Sequence, residues 1–419
     1  MTMQIFQVGG HVRDREIERI HSVSIETNDM DYVVVGATQM DFIENYPTAK
    51  LIEGKEFPVY KHNGDDYAFA RTEQSTGPGH TDFEITCDPN VSLLDDLSRR
   101  DVTINAMAYE DGGILIDPHG GLQDIKDKTL NIICEDEFIT DPLRVFRVAR
   151  LAAKLHFDVS TETMEAMRKC APKLKYLSVE RVFMEMSKAL ATDNPRVFFD
   201  VLYEADCLHQ FFPELQELKG VSPGSVKHDH EEDAYDHCMQ ALQRCARNNN
   251  NECLRFAVVC HDFGKAKTPR ESHPKHHCHD KLGLGPVRTL CDRLRVPNSY
   301  RTAAMTFCKE HMRMHKLLVM KPGKSCRSLL SLEKGFPLGV AGFVCCLHSD
   351  GSTLDECRAM VHLTKEIKKV RLPLRYQNQG AKSGLQLLQL QTKAYKKAKA
   401  KYLSLGMETE RFLGITKGE

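Results

Sequence analysis

Two carboxylates stand ahead of an apolar run near the start of the chain. Asp29 and Asp31 flank Met30 and lead into the run DYVVVG at residues 31–36. Alternate residues of a β-strand project from one face, so both carboxylates can bind the same metal ions. Carboxylate oxygens suit Mg²⁺, which keeps phosphate oxygens and water as further ligands. The spacing predicts metal-assisted attack of a hydroxyl on a triphosphate, with a polar turn before a strand as the alternative.

A pair of glycines precedes these carboxylates. Gly9 and Gly10 follow the β-type run QIFQV, and Arg13 comes shortly after them. Glycines at such a place let backbone N–H groups approach an anion, and the arginine adds positive charge. The segment predicts a cradle for a triphosphate. A tight turn without a ligand is the alternative.

A basic pair, Arg99 and Arg100, is followed by an acid and the apolar segment VTINA. In isolation such a triplet indicates an exposed, ion-paired corner. Earlier in the chain, Glu73 precedes the Gly/Pro-rich segment QSTGPGHTD, residues 74–82. That segment can form a loop that moves over a substrate, although such loops also exist without a function.

Four polar residues recur along one predicted helix that begins near Pro142. A carboxylate offers acceptors and a guanidinium offers donors, so a neighbouring pair can match the edges of cytosine and adenine but not those of guanine and uracil. A nucleic-acid template is then not required. The alternatives are a helix N-cap for the acid and a solvated ladder for the arginines. The four residues are Asp141, Arg144, Arg147 and Arg150.

A second group of polar residues lies in the C-terminal half. His261 and Asp262 stand at the end of an apolar helical run that includes residues 258–260, with His237 upstream and Asp350 downstream. This order resembles the HD phosphohydrolase superfamily. Imidazoles and a carboxylate suit Ni²⁺, Mn²⁺, Co²⁺ or Mg²⁺, which would activate water against a phosphoryl group. Asp350 depends on long-range spacing alone, and a solvated loop residue is its alternative.

More histidines surround this group. His276, His277 and His279 form a cluster that can bind phosphate or metal, or a His-rich surface loop without a ligand. His311 and His315 share one face of a predicted helix. They can support metal ligands or lie at the edge of a core.

Elements of two kinds must position these residues. The runs QIFQVGG, DYVVVG, FPVYKH, DYAFAR, GILID and TLNII predict strands, and helical periodicity follows from about Asp141. The predicted fold class is α+β, with an N-terminal mixed-sheet head followed by mainly α-helical regions. We expect a head at residues 1–138, a helical neck at 139–220, an HD region at 221–352 and a helical basic tail at 353–419.

Composition narrows the class of protein. The 419 residues exceed what one core supports, and no apolar run approaches the length of a membrane span. The 57 Lys and Arg balance 58 Asp and Glu, so nucleic-acid binding must depend on local basic clusters. One such cluster is the predicted tail helix, whose lysines can follow RNA phosphates or form an ordinary solvated face. Fifteen cysteines and no signal sequence favour reduced thiols and a cytoplasmic location.

Five motifs occur in a fixed order, GGHVRD, DMD, ARTE, RRDVTINA and DPLRVFRVAR. The set resembles the bacterial-type, class II tRNA nucleotidyltransferases of the polymerase β-like superfamily. The resemblance implies an enzyme that adds C, C and A to the tRNA 3′ end from CTP and ATP. It implies catalytic, Mg²⁺-binding roles for Asp29 and Asp31, nucleotide binding by Gly10, Arg13 and Arg100, and an accessory role for Glu73.

The same resemblance implies that the helix from Asp141 to Arg150 is the amino-acid template that selects the base. One departure is Thr140, where the family usually has an acid, and the interval from Gly10 to Asp29 is longer than usual. For the HD region the resemblance implies a phosphatase or 2′,3′-cyclic phosphodiesterase that uses Ni²⁺ or another divalent metal.

The implied partners are tRNA, CTP and ATP, with no membrane, and a homodimer is left open. Two alternatives keep part of this interpretation. A bacterial-type poly(A) polymerase shares the head chemistry but adds only A to RNA 3′ ends. An alternative of another class is an HD phosphohydrolase with a vestigial head, or a tRNA-binding protein with no chemistry. Incorporation of C distinguishes the first from the CCA-adding enzymes.

Overall fold

The structure is a computed structural model that describes residues 2–25, 30–53, 57–75, 83–224 and 231–404, with residues 73–75 and 83–84 described by their backbone alone. The chain divides into two compact units. The first is Met1–Ala189 with Val197–Gln210, and the second is Leu190–Arg196 with Phe211–Glu419.

A mixed seven-stranded sheet forms the centre of the head. Its order is β3-β4-β5-β2-β1-β8-β9, in which β2 and β5 pair in parallel and the other neighbours are antiparallel. Two further pairs, β6 with β7 and β10 with β11, lie outside this sheet. The strands are β1 Gln4–Val8, β2 Asp31–Val35, β3 Lys50–Leu51, β4 Val59–His62, β5 Asp65–Phe69, β6 Thr72–Ser75, β7 Phe83–Thr86, β8 Ala108–Tyr109, β9 Leu115–Ile116, β10 Thr129–Leu130 and β11 Asp158–Val159.

Alternation along the strands gives the sheet two apolar faces. Phe6, Val8 and Val33 belong to one buried cluster, whereas Val34 and Phe69 belong to another. Because successive side chains of a strand point to opposite faces, adjacent residues can enter different cores. All six predicted β-type runs contain a strand, but the strand in TLNII pairs with β11 rather than joining the main sheet.

Nine α-helices alternate with the strands or follow them along the described chain up to residue 204. In α6 the apolar stripe that the sequence predicts, Val145, Val148, Ala149 and Ala152, is buried. The helices are α1 Gly10–His21, α2 Gln39–Asn45, α3 Leu93–Ser98, α4 Gly121–Asp127, α5 Glu135–Thr140, α6 Leu143–Leu155, α7 Thr161–Cys170, α8 Val179–Leu190 and α9 Arg196–Glu204.

From residue 211 on, the described elements are helices. They are α10 Pro213–Gln216, α11 Ala234–Asn248, α12 Glu252–Cys260, α13 His279–Leu282, α14 Leu284–Arg293, α15 Asn298–Met314, α16 Pro322–Gly335, α17 Gly339–Ser349, α18 Leu354–Lys368 and α19 Ala381–Ser404. The predicted fold class is confirmed, since a mixed-sheet head precedes a largely helical region.

The core of the second unit joins α11, α12 and α15 to the C-terminal helices. Phe307, Phe343 and Leu363 are fully buried in it, and Tyr395 of α19 completes it. The predicted long tail helix is confirmed as α19, with Lys393, Lys396, Lys397 and Lys401 exposed.

Among the described residues, no single helix is long and apolar enough to cross a membrane. The pair α16 and α17 passes that test jointly, but the two helices meet at a bend of 104° and their buried residues lie in the core of the second unit. All fifteen cysteines are free thiols.

Candidate active site and candidate metal centre

A cavity of about 570 Å³ lies in the first unit. It is bounded by the turn between β1 and α1, the starts of β2 and β5, the segment after α3 and the start of α6. Every predicted head or neck site residue that the structure describes lines it, whereas Asp29 lies outside the described residues. The lining includes Gly10, Arg13, Asp31, Arg100, Asp141, Arg144, Arg147 and Arg150.

The turn between β1 and α1 brings the main chain close to two charged groups. Gly9 has φ +76°, in the left-handed region that favours glycine. A Cβ atom there would lie 3.3 Å from Asp31 Oδ2, which is a tight contact, and 3.6 Å from Arg100 Nη1. Helix α1 begins at Gly10, and the N–H groups of a helix N-terminus attract anions. This arrangement suits a phosphate group.

Asp31 begins β2 and is exposed at the cavity. The parallel pairing of β2 with β5 places Asp66 beside it, and Asp66 lines the same cavity. Lys61 Nζ lies 3.6 Å from Asp66 Oδ1 and so places a positive charge near this carboxylate. Sequence analysis missed Asp66 because no local pattern tells which distant strands become neighbours. The side chain of Glu73, on β6, lies outside the described part of the chain.

A chain of hydrogen bonds connects α1 to α6. Arg13 donates through Nε to Asp14 and through Nη1 to Asn105, both at 2.7 Å. Asn105 Nδ2 donates to Asp101 Oδ1 at 3.0 Å, and Arg147 Nε donates to Asp101 Oδ2 at 2.7 Å. Through these bonds the candidate phosphate-binding arginine and an arginine of α6 share one rigid support.

Buried acids anchor the predicted basic pair. Arg99 and Arg100 donate to Asp96 at 2.6 and 3.0 Å, and Asp96 is fully buried. Burial alone would raise the pKa of Asp96, but the two guanidinium groups outweigh it and the pKa lies below its ordinary value. Likewise Arg147 holds the pKa of buried Asp101 well below its ordinary value. The exposed corner that an isolated RRD triplet indicates is therefore wrong here.

The start of α6 presents both an acceptor and donors. Asp141 Oδ1 accepts from the Leu143 N–H at 3.1 Å, which is the capping contact given as the alternative. Its Oδ2 lies 3.7 Å from Arg181. Arg144 donates through Nη1 to the Glu137 carbonyl at 2.7 Å and through Nη2 to the Arg99 carbonyl at 2.6 Å. A guanidinium has five N–H groups, so these two bonds orient Arg144 and leave donors for another ligand.

Helix α8 supplies partners for α6 that sequence analysis missed. Arg181 lines the cavity beside Asp141, and Glu185 accepts from Arg150 Nε at 2.5 Å. Both residues belong to an amphipathic helix, where isolated charges give no signal of a site. Their role follows only from the packing of α8.

In the second unit, four predicted ligands meet. Asp350 Oδ1 lies 3.0 Å from Nε2 of both His237 and His261. Asp262 Oδ2 lies 3.2 Å from His261 Nε2 and 3.4 Å from His237 Nε2. All four side chains are buried, and their ligand atoms lie within 4.8 Å of one another. The structure thus places Asp350 in the cluster rather than in a solvated loop.

Three helices deliver these ligands. His237 lies in the first half of α11, His261 and Asp262 follow the last residue of α12, and Asp350 follows the last residue of α17. Helix α12 is apolar almost throughout, so it is buried and carries its C-terminal residues into the interior.

Fixed partners orient the two imidazoles. His261 Nδ1 lies 2.7 Å from the Val258 carbonyl, and His237 Nδ1 lies 2.8 Å from Glu231 Oε2. A carbonyl or carboxylate oxygen accepts, so the ring proton is at Nδ1 and Nε2 faces the cluster. This is the usual arrangement of a histidine that ligates metal. Two such nitrogens and two carboxylates fit a divalent cation.

Lys265 compensates part of the negative charge. Its Nζ lies 2.6 Å from Asp262 Oδ2 and donates to the Pro223 carbonyl at 2.6 Å. Burial would lower the pKa of Lys265, but Asp262 outweighs it and raises the pKa above its ordinary value. The ammonium is therefore charged.

The remaining histidines separate into different environments. His276 is buried between Thr268 and the Ser222 carbonyl, and burial lowers its pKa to about 4. His277 is exposed. His315 Nε2 lies 3.2 Å from Asp350 Oδ2, the supporting position that was one of its two interpretations.

Comparisons with known proteins identify the family. The family model for the poly(A) polymerase head domain matches residues 5–131, and the model for the probable RNA- and SrmB-binding site of polymerase A matches residues 156–219. The multifunctional CCA protein of Shewanella denitrificans is 42% identical over 327 residues, which cover 76% of this chain and 76% of the relative. That of Mannheimia succiniciproducens is 41% identical over 333 residues, covering 76% and 77%.

The chain belongs to the multifunctional CCA protein family. It is a class II CCA-adding enzyme, a tRNA nucleotidyltransferase, as the five sequence motifs indicate. Only the two family-model matches, at residues 5–131 and 156–219, would also fit a poly(A) polymerase. The alternative of a vestigial head is not supported, since the relatives that match more than three quarters of this chain are CCA proteins.

Solved structures of CCA-adding enzymes have the same fold as this chain. An apo CCA-adding enzyme superposes with a TM-score of 0.66 at 20% identity, covering 96% of this chain and 92% of that one. A Thermotoga maritima CCA-adding enzyme complexed with tRNA gives 0.64 at 19% identity, covering 96% and 91%. At this identity the likeness is one of fold.

Proposed function

We propose that the cavity of the first unit is where C and A are added to the tRNA 3′ end. The observation that carries this proposal is the meeting of Asp31, the glycine turn, Arg100 and Asp141 around one cavity. In the reaction the 3′-hydroxyl oxygen bonds to the α-phosphorus of CTP or ATP, and pyrophosphate leaves. A cavity lined by both carboxylates and arginines suits that charge distribution.

Gly9, Gly10, Arg13 and Arg100 would hold the triphosphate. The guanidinium of Arg100 lies near Gly9 at the start of α1, and Arg13 lies near Gly10 and lines the same cavity. Because hydrogen bonds to Asn105 and Asp14 fix Arg13, little reorganisation is needed when the anion binds.

Asp31, together with Asp29, would bind Mg²⁺. The donor set fits, because a carboxylate at the mouth of a phosphate cradle supplies the hard oxygen ligand that Mg²⁺ prefers. When bound, the ion supplies charge to the triphosphate and lowers the pKa of the attacking hydroxyl. The protein's own contribution is to hold Asp31 Oδ2 close to Gly9, where a Cβ atom would crowd it.

Asp141 and Arg144 would select the base, with Arg147 and Arg150 extending the positive wall. Asp141 accepts from the amino group of cytosine or adenine, and Arg144 donates to the neighbouring ring acceptor. Uracil and guanine would place like groups against each other, and such mismatches cost free energy in a dry site. The two backbone carbonyls that bind Arg144 keep its donors aimed in one direction.

His237, His261, Asp262 and Asp350 would form a metal-dependent phosphohydrolase site. Their burial and the orientation of both Nε2 atoms support a transition metal such as Ni²⁺. The bound ion supplies Lewis acidity to a phosphoryl group and acidifies water. Substrates would be phosphomonoesters or 2′,3′-cyclic phosphates at damaged RNA ends.

The division of labour follows the four predicted regions, with head and neck for nucleotidyl transfer, the HD region for hydrolysis and the tail for RNA. Exposed lysines along α19 would follow the tRNA backbone. Fifteen free thiols favour the reducing cytoplasm. The homodimer remains a prediction that sedimentation of the full chain tests.

The test is incorporation into three tRNAs that lack A, CA or CCA, with CTP and ATP supplied singly and together. With CTP alone, the two shorter tRNAs should gain C. With ATP alone, only the tRNA that ends in CC should gain A and so be completed, and the two shorter tRNAs should be completed only when both nucleotides are present. Failure to incorporate C would contradict CCA addition, and incorporation of UTP or GTP at similar rates would contradict the assigned base selection.

A further inference from the structure

A row of tyrosines crosses the central sheet of the head. Tyr67 of β5 pairs with Tyr32 of β2, and Gln7 of β1 lies between Tyr32 and Tyr109 of β8. Successive side chains of a strand point to opposite faces, so Tyr32 projects from the face opposite to that of Asp31. The row therefore lies on the face of the sheet that turns away from Asp31.

A smaller cavity of the first unit, which we call the tyrosine cavity, lies at this row and has a volume of about 350 Å³. Arg15 of α1, Tyr46 and Asp111 complete its lining, and Asp111 belongs to the turn between β8 and β9. Tyr32 borders both cavities, whereas Arg15 and Tyr67 border only this one. A cavity of this size admits a small organic ligand.

Flat groups line the tyrosine cavity. The rings of Tyr32 and Tyr67 stack with their centroids 4.7 Å apart and their planes at 7°. The ring of Tyr46 lies 5.8 Å from that of Tyr67. The guanidinium carbon of Arg15 lies 4.2 Å from the centroid of Tyr109. Aromatic rings and guanidinium planes of this kind are the groups on which planar ligands stack.

Two donors at the tyrosine cavity lack a protein partner. Tyr67 is 8% exposed, and among the described residues nothing forms a hydrogen bond with its hydroxyl. Burial raises the pKa of Tyr67 to about 12, so the hydroxyl keeps its proton and can donate. Within the same part of the chain, the guanidinium of Arg15 stacks on Tyr109 but forms no hydrogen bond or ion pair. A buried tyrosine hydroxyl usually has a partner, so these donors indicate a ligand that carries acceptors.

The charges at the tyrosine cavity narrow the class of ligand. Glu110 and Asp111 line it together with one cation, Arg15, so the lining does not attract a triphosphate. An aliphatic cation would compete with Arg15 for the face of Tyr109. The carboxylates accept, Arg15 and Tyr67 donate, and the amide of Gln7 does both. A nucleobase matches this set, because it has a planar face and both donors and acceptors on its edge.

We propose that the tyrosine cavity binds one nucleobase, stacked on the tyrosine row and hydrogen-bonded to Arg15 and Tyr67. The site is separate from the one proposed for the incoming CTP or ATP. A free nucleoside and an unpaired base of single-stranded RNA offer the same chemistry. Because Tyr32 follows Asp31 directly along β2, a base held here contacts the strand that carries this carboxylate.

Photolabelling locates the base. The full chain, without Mg²⁺ or nucleoside triphosphate, is irradiated with 8-azidoadenosine, and the modified peptides are identified by mass spectrometry. We expect label in residues 109–113 or at Tyr46, and an excess of adenosine should prevent it. Label confined to segments that line only the larger cavity, such as residues 141–151, would overturn the proposal.

Two variants test the donors by calorimetric titration with adenosine. Arg15→Ala should weaken binding by roughly 10- to 100-fold and Tyr67→Phe by about 2- to 10-fold, as expected for a charged and a neutral hydrogen bond. The matched controls are Arg168→Ala and Tyr176→Phe, exposed residues outside both cavities, which should bind as wild type does. Circular dichroism compares the folding of all four. Tyr67→Phe keeps the stacked ring, so the test stays valid if Arg15→Ala fails to fold.

A hexamer of adenylate, titrated in parallel, distinguishes the two sources of the base. Binding of adenosine, weakened in both variants, supports a nucleoside site. Binding of the hexamer alone, weakened in the same variants, supports the proposal with RNA as the source. Unchanged affinity for both probes in Arg15→Ala and Tyr67→Phe overturns it, and so does the absence of binding by either probe. Binding of spermidine that adenosine does not displace, weakened in Tyr67→Phe, overturns it in favour of a site for an organic cation.

Discussion

The cavity of the first unit and the histidine cluster of the second hold charged groups in opposite ways. In the first unit Asp31 is exposed, and the arginines around it are fixed from behind by buried acids such as Asp96. In the second unit the ligands themselves are buried, with His261 fully so. An open, positively lined wall suits a large polyanion that enters and leaves, whereas buried nitrogen and carboxylate ligands suit a small ion.

The two sites also differ in the contacts that orient their charged side chains. Arg13, Asp101 and Arg147 support one another through side chains, so their charges depend on the whole network. His261 and His279 are instead each oriented by the backbone carbonyl three residues earlier in the chain. A local carbonyl holds its histidine even when a neighbouring ligand changes. The comparison predicts that the two sites can be disabled separately.

The largest effect is expected from reciprocal catalytic variants. Asp31→Asn should reduce incorporation of C and A by roughly 1,000-fold, because it removes charge where the reaction needs it. The same variant should hydrolyse 2′,3′-cyclic AMP at the wild-type rate. His261→Ala should show the reverse, with hydrolysis lost and incorporation within about two-fold of wild type.

Nucleotide incorporation and cyclic-phosphate hydrolysis are both measured for Asp31→Asn and His261→Ala, and circular dichroism compares their folding with that of wild type. If either variant lost both activities while it remained folded, the two sites would be coupled, and the contrast drawn above would fail.

The next effect concerns packing in the second unit. Gly264→Ala places a Cβ atom 2.0 Å from a backbone oxygen, which only a backbone shift can relieve. We expect the free energy of unfolding of the second unit to fall by about 3 kcal/mol. Gly285→Ala in α14 is the matched control, because a Cβ atom there meets nothing within 4 Å. It should raise stability by up to about 1 kcal/mol through helix propensity.

Urea denaturation followed by circular dichroism measures both variants. Gly264→Ala should also reduce hydrolysis, since Gly264 packs on His279, while incorporation of C and A stays near the wild-type rate. Equal stability of the two variants would show that the segment yields more easily than its packing indicates.

A smaller effect is expected on base selection. Asp141→Ala and Arg144→Ala should each lower the preference for CTP over UTP by roughly 10- to 100-fold, which corresponds to about 1–3 kcal/mol for an unmatched polar group. The ratio of kcat/KM for the two nucleotides, on a tRNA that lacks CCA, measures this. Arg168→Ala, on α7 and outside the cavity lining, is the control and should leave the ratio unchanged. An unchanged ratio in both α6 variants would mean that α6 does not select the base.

The smallest effects are expected from the loss of a helix N-cap, a motif that occurs in both units. Ser92 and Asp95 form a capping box at α3, and Thr353 and Glu356 form one at α18. Ser92→Ala and Thr353→Ala should each lower the free energy of unfolding by about 1 kcal/mol. Differential scanning calorimetry should show each change in the transition of its own unit. A shift of both transitions by one variant would show that the units unfold together.

Local patterns predicted much of the fold. Helix α12 was visible in its apolar run before His261, because a buried helix is mainly apolar, and α6 was visible in its spacing of valines and alanines. The four strands of DYVVVG, QIFQV, FPVYKH and DYAFAR were visible for a similar reason. Such elements follow from the residues they contain.

Pairing between distant segments could not be predicted in the same way. Asp66 becomes a neighbour of Asp31 only because β5 pairs in parallel with β2, and Arg181 reaches Asp141 only because α8 packs beside α6. Asp350 was placed by long-range spacing alone, and its contacts with His237 and His261 depend on how α11, α12 and α17 pack. His279 and His311 were noticed separately, but that they face one carboxylate depends on the fold of the second unit.

The distance in sequence between His237 and Asp350, 113 residues, has a consequence for folding. Any ion held by both residues closes a loop that spans α11 to α17, and an unfolded chain cannot close that loop without losing much conformational entropy. Metal binding would therefore be linked to the folded state and would stabilise it by about 2.7 kcal/mol at a free concentration 100 times the Kd. The resistance of the second unit to proteolysis should then follow the metal supply, while that of the nucleotidyl-transferring unit should not.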